Sequence, residues 1–272
     1  MKTSAWLWII AVLFTLVSAG WQRRTGPTYP LSGRAAIGGT IVHYTLERSH
    51  KGLGDQRVAV GRLPLDITGG LEWKRYRSGD PWTVVVMRRE GASLVAELPH
   101  QPPGGKLWYR VRLLRGPETI LLPPARPAAT RFMGSVPARF LVPHILCMFL
   151  AMLFSTRAGL EGFRRTPRLG ALTAWTLAFM VAGGLALGPF VVHYAFGPWW
   201  SGLPVGTDIT DSKTLVAVIV WIVAAIAVAR ARVARAWVLL AALVTLAIFA
   251  IPHSWTTTEP EYARIDAAAA AR

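Results

Sequence analysis

The chain has 272 residues, is 53% hydrophobic and carries a formal net charge of +16. It is too apolar for an ordinary soluble domain and too polar for a bundle of membrane spans alone, so a mixed architecture is expected. Lys and Arg gather at the cytoplasmic ends of spans, so the basic excess reads as topology. With no basic stretch interleaved with aromatics legible in the chain, a nucleic-acid partner is not expected. The single cysteine, Cys147, excludes an intrachain disulfide and a thiolate cluster of zinc-finger type.

The first apolar stretch, about 5–21, has two readings. Val17-Ser18-Ala19 resembles a signal-peptidase site, and the apolar core is short. Trp6, Trp8 and Trp21 instead suit the two interfacial belts of a retained span, and Arg23 and Arg24 directly after the core oppose export. Residues 1–24 are therefore an N-terminal anchor or a signal peptide, with the arginines favouring the anchor. Both readings place residue 25 onward outside the cytoplasm, and a retained anchor leaves the N-terminus inside.

Residues 25–131 contain no run of membrane length. Short alternating segments follow one another instead: TIVHYTLERS, QRVAVGRL, GLEWKRYRS, WTVVVMRRE, ASLVAELP, KLWYRVRLL and ETILLPP, separated by Gly-, Asp- and Pro-rich turns. Seven such strands predict an extracytoplasmic β-sandwich of immunoglobulin or fibronectin type III kind. Tyr109, opening a strand after a Leu-Pro edge and a turn, resembles the tyrosine corner of those sandwiches, and Trp73 suits their buried tryptophan. Residues 23–131 hold 18 Lys and Arg against 8 Asp and Glu, a net +10. Arg75, Arg77, Arg88 and Arg89 alternate with apolar positions. They form either a solvated face or a docking surface for anionic headgroups, acidic glycans or an acidic protein partner.

Residues 132–256 hold four further apolar stretches, about 137–156, 170–192, 214–229 and 235–252. A spanning helix needs about 20 residues, so the third of these is short unless its helix begins in the polar 211–213 segment. Arg157, Arg164, Arg165 and Arg168 against Glu161, and then Arg230, Arg232 and Arg235, mark 157–169 and 230–235 as cytoplasmic loops. The segment 188–214 and the tail 257–272 then face outward. No acidic residue is expected deep in a span.

That topology puts His144, His193 and His253 at the outer side of the membrane. Pro143-His144 and Pro252-His253 share a proline that frees a backbone carbonyl and bends a helix. Met148 and Met152 follow His144 on one helix face. Asp208 and Asp211 precede the 214–229 stretch, where a carboxylate caps a helix N-terminus. Trp199 and Trp200 suit the headgroup zone and form a surface for a protein partner. His144, His193, His253, Asp208, Asp211 and Met148 are candidate ligands for zinc, iron or copper, and a pair of histidines suits haem. The alternatives are separate interfacial histidines with packing methionines, or a polar site for a quinone, lipid or proton. His43, His50 and His100 read as surface or turn residues. No Walker loop, GxGxxG, HExxH or GxSxG element is present.

Four segments taken together, QRRTGPTYP, RFMGSVPARFLVPHILCMFLAMLFSTRAGLE, VGTDITDSK and IPHS, resemble those of an uncharacterised family of bacterial multi-pass membrane proteins. The resemblance covers most of the chain. It implies an inner-membrane location with an extracytoplasmic Ig- or fibronectin-like domain, and it carries no residue roles. A weaker likeness is to copper proteins that join an Ig-like domain to membrane helices. The N-terminal histidine those domains use has no counterpart after the first stretch. The expected function is that of a non-enzymatic interaction or accessory subunit, in contact with membrane lipid and a protein partner, with a metal- or haem-binding membrane protein as the alternative.

Overall fold

A computed structural model describes residues 2–206 and 208–251, with side chains from Ser4 onward. The chain divides into a helical unit, built from the segments up to Pro27 and from Val136, and a β unit over Thr28–Ser135.

The helical unit contains α1 (Lys2–Thr25), α2 (Ala138–Gly162), α3 (Gly170–Met180), a π-helical segment (Val181–Leu187), α4 (Gly188–Phe196), α5 (Ile209–Ala229) and α6 (Ala234–Ala250). The α3, π and α4 segments form one continuous rod. Among the described residues, four helices are long and apolar enough to cross a membrane: Ser4–Thr25, Ala138–Gly162, Gly170–Phe196 and Ile209–Ala229, while α6 is a shorter apolar helix. The stretch expected at 214–229 gains its missing turn because Asp208 caps the helix, its side chain accepting from the Thr210 N–H at 2.6 Å.

Small residues set the helix contacts. A Cβ added at Gly159 would lie 2.8 Å from the Ala242 Cβ, and one at Gly162 would lie 2.9 Å from Leu239 Cδ2, so α2 and α6 approach through glycine. Trp221 of α5 is fully buried, and its indole N–H donates to Thr245 of α6 at 2.8 Å. Thr245 in turn donates to the Ala241 carbonyl at 2.8 Å, so neither polar group is orphaned.

The expected loop from 157 is corrected. Helix α2 continues to Gly162, and Arg157 and Glu161 lie inside it, buried, in an ion pair of 2.7 Å. Arg157 also sits over the Trp8 ring of α1 at 5.4 Å. An i,i+4 pair of opposite charge neutralises itself along one helix face, which lets both residues remain in an otherwise apolar helix. Glu161 lies at the last turn of α2, not deep in the span.

The β unit has eleven strands: β1 (Leu31–Ile37), β2 (Thr40–Leu46), β3 (Ser49–Lys51), β4 (Gln56–Val60), β5 (Thr68–Arg75), β6 (Thr83–Val86), β7 (Arg88–Glu90), β8 (Ser93–Leu98), β9 (Lys106–Arg115), β10 (Glu118–Leu122) and β11 (Ala128–Met133). β1 and β2 form a hairpin through Gly38 and Gly39, both at positive φ, as a two-residue turn between twisted strands requires. The largest sheet runs β3-β11-β9-β5-β6 with β10 also on β9, and a second sheet runs β4-β8-β7. All pairings are antiparallel except β3 with β11. The single expected strand WTVVVMRRE breaks at Met87 into β6, which pairs β5 in the large sheet, and β7, which pairs β8 in the other.

One core joins the three sheets, with Ile37, Leu46, Val60, Leu71, Leu98, Tyr109, Val111 and Phe132 at its centre. β9 supplies alternate positions to it, as a strand with one buried face must. Tyr109 is buried, and its hydroxyl donates to the Glu47 carbonyl at 2.6 Å. Burial raises the pKa of that hydroxyl well above the ordinary tyrosine range. The partner lies between β2 and β3, not a few residues upstream, so the expected local tyrosine corner is replaced by a long-range tie. Trp73 packs against the core while remaining part-buried.

Candidate functional site

The strand register places the opposite face of β5 and β9 outside the core. Glu72 lies opposite Arg110 on β9 and Val84 on β6, while Lys74 lies opposite Trp108. Paired residues project to one side of a sheet, so these side chains share a face. Glu72 is 1% exposed, although it is on this outer face. Arg110 covers it at 2.6 Å, and Arg112 closes on its other carboxylate oxygen.

Around that covered carboxylate, aromatic rings alternate with cations. Arg110 sits over the Trp82 ring at 4.6 Å, and Lys74 lies between Trp82 and Trp108 at 5.6 and 5.7 Å from their centroids. Tyr76 meets Trp108 edge to face at 4.9 Å and carries Lys106 at 5.1 Å and Arg77 at 5.2 Å. Cations held over ring faces are pre-positioned, and aromatic side chains with arginine are the residues most enriched at the energetic centres of protein interfaces. Beside this patch runs β6, the terminal strand of the large sheet. All four of its residues are exposed, with Val84 at 61% and Val86 at 84%.

The four arginines singled out from the sequence do not share a surface. Arg75 forks onto Asp80 at 2.5 and 2.9 Å, which lowers the Asp80 carboxyl from its ordinary 3.8 to about 2. Arg77, at φ 54°, lies over Tyr76 and belongs to the aromatic patch. Arg88 pairs with Glu90 at 2.9 Å on β7, in the other sheet. Arg89 donates to the carbonyls of Leu63, Pro64 and Ile67 and ties down that loop. The break at Met87 is what separates Arg88 and Arg89 from Arg75 and Arg77.

In the helical unit, the candidate ligands are held apart by their own partners. His144 bonds through Nδ1 to the Gly183 carbonyl at 2.8 Å. His193 bonds through Nδ1 to the Gly197 carbonyl at 2.5 Å and stacks on Trp199, with centroids 4.0 Å apart and planes 4° from parallel. Asp208 caps α5. Asp211 accepts both the N–H and the hydroxyl of Ser201 at 2.8 Å, folding the 201–206 loop onto the first turn of α5. That closure leaves no room for a side chain at Gly202, where a Cβ would stand 2.6 Å from the Asp211 Cβ. Met148 packs against Gly183, whose added Cβ would lie 3.0 Å from its sulfur. Trp200 donates to the Leu203 carbonyl at 3.0 Å. His253 lies outside the described residues. Among the described residues, no three histidine, cysteine or acidic side chains converge as a metal site would require.

Sequence reasoning missed Tyr76, Trp82, Lys106, Trp108, Arg110 and Arg112 as a group. Each is ordinary in its own segment. The available signal was period two: Lys106, Trp108, Arg110 and Arg112 alternate with Leu107, Tyr109 and Val111, so one face of that strand is basic and aromatic. No protein-family model and no curated protein sequence matches this chain.

Proposed function

We propose that the chain is a multi-pass membrane protein whose β unit, read as an Ig- or fibronectin-like sandwich outside the cytoplasm, docks an extended acidic segment of a protein partner. The observation that carries this reading is the cation–aromatic face of Lys74, Trp82, Trp108 and Arg110 beside an exposed edge strand. An edge strand offers unpaired backbone groups to an incoming strand, and the adjoining cations select acidic side chains on it. The valines of β6 supply apolar contact where soluble proteins ordinarily place charge to prevent such pairing.

The helices support a membrane location, and the arginines after Gly162 and around 230–235 support a cytoplasmic side for those loops. Metal or haem binding through the outer histidines is the weaker reading, because His144, His193, Asp208 and Asp211 each have a structural partner.

The test is fluorescence anisotropy of a labelled, alternating Glu-Val peptide on the full-length protein in lipid nanodiscs. W108A should weaken binding about tenfold or more, as loss of a central aromatic contact does. Raising salt should weaken it further. H193A should leave it unchanged. Equal affinity for an alternating Lys-Val peptide, or W108A binding like wild type, would refute the reading.

A further inference from the structure

Within the helical unit, residues of α1, α2, α4 and α6 line a partly open cavity of about 260 Å³. Its wall is apolar and rich in sulfur and rings, with Met148, Phe149, Met152, Val191 and Phe249 contributing. Two lining side chains are polar, Gln22 of α1 and His144 of α2. Each has already committed a donor. One N–H of the Gln22 side-chain amide donates to the Phe249 carbonyl. The His144 Nδ1 is 2.8 Å from the Gly183 carbonyl, and a carbonyl can only accept, so Nδ1 carries the proton.

The neutral ring therefore presents Nε2 as an acceptor, while Gln22 retains its side-chain oxygen and its second N–H. A ligand group that reaches His144 Nε2 must supply the hydrogen bond, and the rest of the ligand must be largely apolar. Thioether sulfurs and phenylalanines favour an aromatic body over an acyl chain, because sulfur–ring and ring–ring contacts add to simple burial.

From this we infer that the cavity binds a membrane-soluble phenolic ring of quinol type, its hydroxyl donating to His144 Nε2. The glycine at 183 is part of the arrangement. An added Cβ there would meet the Cys147 Cβ at 2.8 Å, so only glycine lets α2 come close enough for His144 to reach the carbonyl. No electron transfer is required of the protein, and the inference is independent of the β-unit reading.

The test measures equilibrium binding of decyl-benzoquinol to the full-length protein in nanodiscs, against empty nanodiscs of the same lipid. Decyl-benzoquinone, which lacks a hydroxyl donor, and decanol, which lacks the ring, are the competitors. Saturable quinol binding is expected, with both competitors about tenfold weaker or worse, the scale of one buried hydrogen bond. H144F should lose the quinol preference. V191W, which fills the cavity and leaves the His144–Gly183 contact in place, should abolish binding, and H193F should not affect it. Equal competition by quinone or decanol, or quinol binding retained in folded V191W, would overturn the inference in favour of a cavity filled by membrane lipid.

Discussion

Replacing Glu72 with alanine should destabilise the β unit by more than any single arginine replacement on the same face. Glu72 is 1% exposed and is held by Arg110 at 2.6 Å and by Arg112. Removing one partner of a buried ion pair costs about 3–5 kcal/mol when the charge left behind stays buried. Here Arg110 and Arg112 keep 26% and 45% of their side-chain exposure. They rehydrate in part, which brings the expected cost to about 2–3 kcal/mol. For a unit of about 100 residues that corresponds to a fall in midpoint of roughly 10–20 °C. Thermal unfolding of the full chain in detergent, read by protease cleavage of peptides from β5 and β9, isolates the β unit from the helices. R110A should cost less, because Glu72 retains Arg112, and the E72A R110A double variant should be less destabilised than the sum. A fall below 3 °C for E72A would show that the carboxylate is not anchoring the face.

Two further outcomes follow from charged groups elsewhere. E161A leaves Arg157 with 4% of its side chain exposed and no carboxylate, and should cost about 3–5 kcal/mol in denaturant unfolding of the helical unit. The double variant R157M E161L should recover most of that loss, and a double no more stable than the single would refute the pairing argument. For Asp80, the Arg75 hydrogen bonds hold the folded pKa at about 2, below its ordinary 3.8. The folded carboxyl binds its proton less readily than the unfolded one, so its contribution is complete above pH 3.8 and is lost as pH falls through about 2. The stability difference between wild type and D80N should therefore shrink between pH 5 and pH 2, and a difference constant over that range would contradict the assignment.

These predictions concern interactions of very different legibility. The Asp208 cap was readable because capping is local: the carboxylate and the N–H it accepts lie within one turn. The four long apolar helices were readable because hydropathy over about 20 residues is also a local property. The alternation of Lys106, Trp108 and Arg110 with Leu107 and Tyr109 carried the signal for a strand with two unlike faces, but sequence reasoning missed it as a site. The burial of Glu72 could not be read, since it depends on two arginines some 40 positions later in the chain being laid alongside it by the β5–β9 register. Arg157 and Glu161 read as loop charges in the sequence, whereas the helix continues through them and they neutralise each other across one turn.

The sequence by itself determined the division into helical and β segments, the approximate helix extents and the Asp208 cap, because periodicity, hydropathy and capping act between near neighbours. Tertiary structure alone decided which cations meet which rings, where the expected strand breaks between two sheets, and that His144 spends its proton on Gly183. Those outcomes depend on register and close approach between segments distant in the chain, and no local pattern encodes a distance across space.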